Sequence, residues 1–153
     1  QWPEPVQQAV KWPNDIYVRN RKICGMLIEN TLKGDFVSTS VIGIGLNVNQ
    51  KDFPPQLVNP VSMTILTGKE YALRRELEKL CECVRKRMAA PDNYDEYVSR
   101  LFRFGVFNEY VICATGQPIK ARIIGVTDSG LLRTETEKGE RIEFAFKEIS
   151  YVI

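Results

Sequence analysis

The spacing of apolar and polar positions changes several times along the chain, and each change predicts a different kind of element. Between residues 16 and 49 the pattern is that of strands. Ile16-Tyr17-Val18 and residues 22–29 flank the polar Arg19-Asn20-Arg21, which predicts a short hairpin. Lys33-Gly34-Asp35 reads as a second turn into residues 36–48, where Val37, Thr39, Val41 and Ile42 are β-branched. Cys24-Gly25-Met26-Leu27-Ile28 is apolar on both parities, which predicts a strand inside a covered sheet. Three adjacent antiparallel strands is the simplest arrangement.

Residues 51–60 hold Pro54, Pro55 and Pro60 and read as a loop. Ser62 is placed to cap a short helix that ends near Gly68. Leu73, Leu77, Leu80, Cys81, Val84 and Met88 then recur at helical spacing and predict an amphipathic helix over residues 72–90, stopped by Pro91. Asp92 or Asn93 caps a further helix with Tyr94, Tyr97, Val98 and Leu101 on its buried side, ending at Gly105. Beyond it, residues 110–114, 119–126, 131–136 and 141–146 read as short strands separated at Thr115-Gly116, Asp128-Ser129-Gly130 and Lys138-Gly139. Short strands so closely spaced predict a small barrel or sandwich, with a domain boundary near residues 105–107.

Composition narrows the chemistry. The 153 residues carry 21 Lys+Arg against 19 Asp+Glu and no histidine, which excludes Ser-His-Asp and Cys-His catalysis and His-ligated zinc. A near-neutral balance argues against a broad nucleic-acid footprint, and Arg19-Asn20-Arg21-Lys22 and Arg85-Lys86-Arg87 read first as solvated faces. The four cysteines show only one close pair, Cys81 and Cys83, whose thiols point to different sides of a helix; they read as reduced thiols of a cytoplasmic protein. No apolar run approaches the ~18 residues of a membrane span, and no secretory signal pattern is present.

Three segments carry candidate chemistry. Lys11-Trp12-Pro13-Asn14-Asp15 reads either as a strand-entry turn with a packed Trp or as a ligand loop, in which Asn14 offers donor and acceptor and Asp15 can hold Mg²⁺ or orient a lysine. Lys22 opens the next strand across the hairpin from Asp15, where it is either an exposed lysine or a point charge for phosphate or carboxylate. Gly25 is a candidate for close backbone approach, and Gly43, Gly45 and Asn47 share one parity, so that one face of their strand is bare at two positions and polar at the third. Neither a G-x-G-x-x-G nor a Walker A pattern is completed.

In order and spacing, Lys11-Trp12-Pro13-Asn14-Asp15, then Lys22-Ile23-Cys24-Gly25-Met26-Leu27-Ile28-Glu29, then Ile42-Gly43-Ile44-Gly45-Leu46-Asn47-Val48-Asn49 closely resemble the central signature of the biotin protein ligases. The β-rich tail resembles that family's C-terminal SH3-like domain. The resemblance implies an α+β fold, with residues 1–105 as the C-terminal part of a class II synthetase-like catalytic domain on a mixed or antiparallel sheet and residues 106–153 as an SH3-like barrel. It implies ATP-dependent formation of biotinyl-5′-AMP and transfer of biotin to one lysine of a biotin carboxyl carrier protein or domain, with Mg²⁺ arriving with ATP. Lys22 would contact the biotin carboxylate and α-phosphate; Gly25, Gly43 and Gly45 would form the wall for biotin and adenylate. Lys11, Trp12, Asn14, Asp15 and Asn47 would serve the nucleotide, with Asp15 also near Mg²⁺ and the acceptor amine.

The family's Gly/Arg-rich adenylate loop lies upstream of the Trp-Pro-Asn-Asp segment, and the ten residues before Lys11 do not resemble it. The chain is therefore expected to be the C-terminal part of a ligase, weak or inactive alone. Apolar surface around Met26 and Ile28 would then need a partner, through the missing N-terminal part or a homodimer. No nucleic acid or membrane partner is expected. Two rival readings are a lipoate ligase-like acyl-adenylate enzyme and a non-catalytic binding module.

Overall fold

A computed structural model describes residues 7–90 and 93–153. The fold is α+β. Strands β1 (Gln8–Lys11), β2 (Asp15–Val18), β3 (Arg21–Lys33) and β4 (Phe36–Leu46) precede helices α1 (Met63–Thr67), α2 (Leu73–Met88) and α3 (Tyr94–Ser99). Five further strands follow, β5 (Asn108–Ile112), β6 (Pro118–Val126), β7 (Leu132–Thr136), β8 (Arg141–Phe144) and β9 (Ile149–Tyr151). Of the described residues, 7–8, 14–90 and 93 form one compact unit, and 9–13 with 94–153 form a second. The boundary expected near residues 105–107 thus falls inside the second unit, because Leu101 is part of that unit's core and Tyr97 and Val98 pack against it.

In the first unit β2, β3 and β4 make the expected antiparallel meander. Its two turns place Arg19 at φ 55° and Gly34 at φ 62°, in the left-handed region that reverses a hairpin. Packing is confined to the end of the sheet near the β2–β3 turn, where Val18, Ile23, Cys24 and Val61 are buried and Met26, Ile44, Leu46, Met63 and Leu66 close around them. The expectation of a covered strand fails farther along: Leu27 is 61% exposed, Ile28 48%, and Val37 and Val41 are open on the neighbouring strand. Apolar residues on both parities show what a strand can bury, not that something lies over it.

Ser62 caps α1 as its spacing predicts, its Oγ accepting from the Ile65 N–H at 3.1 Å, and Gly68 ends the helix at φ 71°. Helix α2 forms close to the expected limits, yet none of its residues is buried, and Leu73, Leu77 and Met88 of its apolar side stand exposed. Helix α3 ends at Ser99 rather than at Gly105; Arg103 and Gly105, both at positive φ, lie in the turn toward β5. Pro91 and Asp92, expected as stop and cap, lie outside the described residues.

The second unit is an antiparallel sheet in the order β8-β7-β6-β5-β9, an open arrangement in keeping with a small SH3-like domain. Tyr110, Ala121, Ile123, Leu132 and Phe144 fill its core. Trp12 joins them, 5% exposed, and its indole N–H donates to the Gly130 carbonyl at 3.0 Å.

Candidate active site

The chemistry converges where β2 meets β3. Asp15 stands opposite Gly25 and Ile16 opposite Cys24, but Tyr17 stands opposite Lys22, so Ile23 is the extra residue of a bulge. That irregularity is decisive for the side chains. In an unbroken strand Lys22 and Gly25, three residues apart, would point to opposite faces. The extra residue re-phases the strand, and Lys22 comes onto the face of Asp15 and Gly25. Its Nζ lies 2.7 Å from Asp15 Oδ1, in an ion pair with the lysine side chain 41% exposed and the carboxylate 21%. The approach inferred from the hairpin is therefore present.

Gly25 faces Gly45 across β3 and β4, and Leu27 faces Gly43. Gly25 and Gly45 line a cavity of about 410 Å³ within the first unit, together with Lys22 and Asn47. Its other side is the loop after β4, represented by Asp52 and Val58. Sequence reasoning missed this second wall; its signal was a proline-bearing loop directly following the Gly-Ile-Gly-Leu-Asn strand. Burial raises the Cys24 thiol above its ordinary range, with Asp15 pushing the same way and Lys22 opposing. Burial also raises the Tyr17 phenol, helped by Asp15.

Two polar candidates are engaged with backbone. Asn14 donates from Nδ2 to the Met26 carbonyl, while the Met26 N–H donates to the Asn14 carbonyl at 3.0 Å, so Asn14 ties the entry of β2 to β3. Asn47 donates from Nδ2 to the Val61 carbonyl at 3.1 Å and so holds the end of β4 to the segment before α1. Asn49, unremarked in the sequence reading beyond its place in the motif, accepts from the Tyr71 N–H at 3.0 Å and donates to the Tyr71 carbonyl at 2.8 Å.

Lys11 and Trp12 belong to the second unit. The Lys11 ammonium lies 4.5 Å from the centroid of the Tyr151 ring, and the Pro13 carbonyl accepts from the Tyr97 hydroxyl at 3.1 Å. The pentapeptide is thus divided: Lys11-Trp12-Pro13 is built into the small β unit and Asn14-Asp15 into the meander. Among the described residues no group of three or more acidic or cysteine side chains is arranged to hold a metal ion. Asp15 could give Mg²⁺ one carboxylate, so any such ion would be held chiefly by the oxygens of a bound nucleotide.

A sequence model of the Biotin/lipoate A/B protein ligase family matches residues 4–47. The bifunctional ligase/repressor BirA of Bacillus spizizenii is 30% identical over 147 residues, covering 88% of this chain and 43% of that protein. The biotin--[acetyl-CoA-carboxylase] ligase of Paracoccus denitrificans is 28% identical over 145 residues, covering 88% of this chain and 59% of that protein. The chain therefore spans about half the length of these relatives. The crystal structure of the biotin protein ligase from Aquifex aeolicus superposes with a TM-score of 0.68 at 26% identity, covering 95% of this chain and 65% of that one. In motif order, sequence and fold, the chain is similar to the biotin protein ligases.

Proposed function

We propose that these residues form part of an ATP-dependent biotin ligase that makes biotinyl-5′-AMP and passes the biotinyl group to a lysine of a biotin carboxyl carrier protein. The observation that carries the reading is the Lys22–Asp15 pair, whose lysine lines a cavity of about 410 Å³ together with the facing Gly25 and Gly45. Joining a carboxylate to a phosphate brings two anions together, and the first need is fixed positive charge. At ~4 Å and an effective dielectric near 20, one ammonium offsets roughly 4 kcal/mol of such repulsion. Lys22 fills that role, while Gly25, Gly43 and Gly45 allow a flat ligand to rest against backbone. Asp15 orients Lys22 and receives the proton of the attacking amine. Asn47 serves the nucleotide; Lys11, Trp12 and Asn14 act through the segments they hold. Mg²⁺ accompanies ATP and neutralises its phosphates.

As proposals that rest on the same reading, residues 1–105 correspond to catalytic-domain sequence and residues 106–153 to SH3-like domain sequence, a division by family likeness and not by compact unit, working in the cytoplasm. The exposed side of α2 and the far end of the β3–β4 hairpin are the surfaces that the rest of a ligase or a second copy would cover.

The test is incubation of the chain with ATP, Mg²⁺ and labelled biotin or lipoate, followed by addition of a carrier domain. Slow, biotin-dependent release of pyrophosphate and labelling of one carrier lysine are expected. Lys22→Ala should lower adenylate formation by a factor of 10²–10³, the ~3–4 kcal/mol typical of removing one group aimed at developing charge, with its circular dichroism unchanged. Faster reaction with lipoate would favour the lipoate ligase-like alternative, and no adenylate with either acid would make the chain a binding module.

A further inference from the structure

The three glycines of the candidate site look equivalent in sequence, each a bare position on a ligand-facing strand, but their surroundings differ. A methyl group built on Gly43 would come no closer than 3.9 Å to the Leu27 carbonyl oxygen, and one on Gly45 no closer than 3.7 Å to the Gly25 carbonyl oxygen. Both are ordinary contacts. On Gly25 the same methyl would lie 3.1 Å from Lys22 Cε, 3.1 Å from Lys22 Nζ and 3.3 Å from Asp15 Oδ1. The space that Gly25 leaves empty is the space over which the ion pair closes.

We propose that Gly25 is a positioning residue that seats the Lys22–Asp15 pair, acting on the chemistry through Lys22 in addition to any contact with ligand. The inference rests on the function proposed above for Lys22. Its structural basis is double: the bulge at Ile23 turns Lys22 onto the face of Asp15, and the absent side chain at Gly25 lets the ammonium settle there. The atoms that a methyl would crowd are the ends of flexible side chains rather than backbone, so the fold can accommodate it. What gives way, by a few tenths of an ångström, is the seat of the pair. An ion pair this exposed contributes little to stability, so its loss is felt in the chemistry rather than in folding.

The experiment compares Gly25→Ala with Gly43→Ala in the full chain, and its first readout needs no activity. With a limiting amine-reactive acetyl ester, acetylation of Lys22 is followed by mass spectrometry in the absence of ligand. Gly25→Ala should raise the rate at Lys22 about threefold or more relative to the other lysines, because the ammonium is released from Asp15, and Gly43→Ala should leave it unchanged. The second readout is biotin- and ATP-dependent pyrophosphate release, in which Gly25→Ala should reduce kcat about tenfold or more, with a melting temperature within a few degrees of the parent. Unchanged labelling of Lys22 in Gly25→Ala overturns the proposal whatever the activity, as does equal labelling in the two variants. If the parent chain releases no pyrophosphate, the proposed function of the isolated chain fails, while labelling still decides the role of Gly25.

Discussion

A single hydroxyl shows how closely the core of the second unit is filled. Tyr110 is fully buried and its phenol oxygen has no hydrogen-bond partner among the described residues; burial pushes its pKa up to about 12, with Arg103 pulling the other way. A buried polar atom without a partner costs roughly 1–3 kcal/mol. Tyr110→Phe should therefore stabilise the chain by about 1 kcal/mol, read as a higher urea midpoint at unchanged slope. Tyr94 makes the useful contrast, because its hydroxyl donates to the Val126 carbonyl at 2.7 Å and the same change there removes a made bond. Residue-scale chemistry was legible where it depended on near neighbours. Lys22 and Asp15 are one hairpin apart, and their pairing follows from the turn between them. The bulge that turns Lys22 onto the right face was not legible, since alternation in sequence carries no mark of an extra residue whose side chain is itself apolar and buried, as Ile23 is.

Elements were legible in proportion to how local their determinants are. Helix α1 is set by Ser62 and Gly68 at its own ends, and both act as the sequence predicts. Ser62→Ala should cost about 1 kcal/mol, within the 0.5–2 kcal/mol of a lost N-cap, and the loss should appear as faster amide exchange at Ile65, the N–H that the serine oxygen accepts. Strand β9, by contrast, was overlooked. It is three residues long and exists because Ile149, Ser150 and Tyr151 pair with Ile112, Val111 and Tyr110, far away in sequence. Trp12 is the same case at a site residue: its place beside Pro13, Asn14 and Asp15 leaves a packed Trp and a ligand loop equally open, and only the fold shows its indole bonded to a carbonyl 118 residues away. The covered sheet failed for the converse reason, since periodicity reports what could be buried and the covering layer must come from elsewhere.

For the whole molecule, the buried acids set how stability responds to alkali. Burial raises the folded-state pKa of Tyr17, Cys24, Tyr97 and Tyr110, so the fold favours their protonated forms and the unfolded chain loses those protons first. This contribution is complete below the ordinary thiol value of 9.0 and is lost as pH rises through the ordinary phenol value of 10.0 toward about 12. Denaturant midpoints measured from pH 7 to 11 should be level at first and fall beyond about pH 9, with no comparable fall between pH 7 and 8. A different consequence follows from where Trp12 belongs. Because Ala9–Pro13 and Tyr94–Ile153 make one unit, residues 14–93 are, in topological terms, an insertion within a small β fold that starts, breaks off and resumes. No single cut can release that fold whole. Grafting the tail of one relative onto the body of another would exchange sixty residues and leave behind the tryptophan that fills their core, so the natural unit of exchange is the tail together with the five residues that precede Asn14.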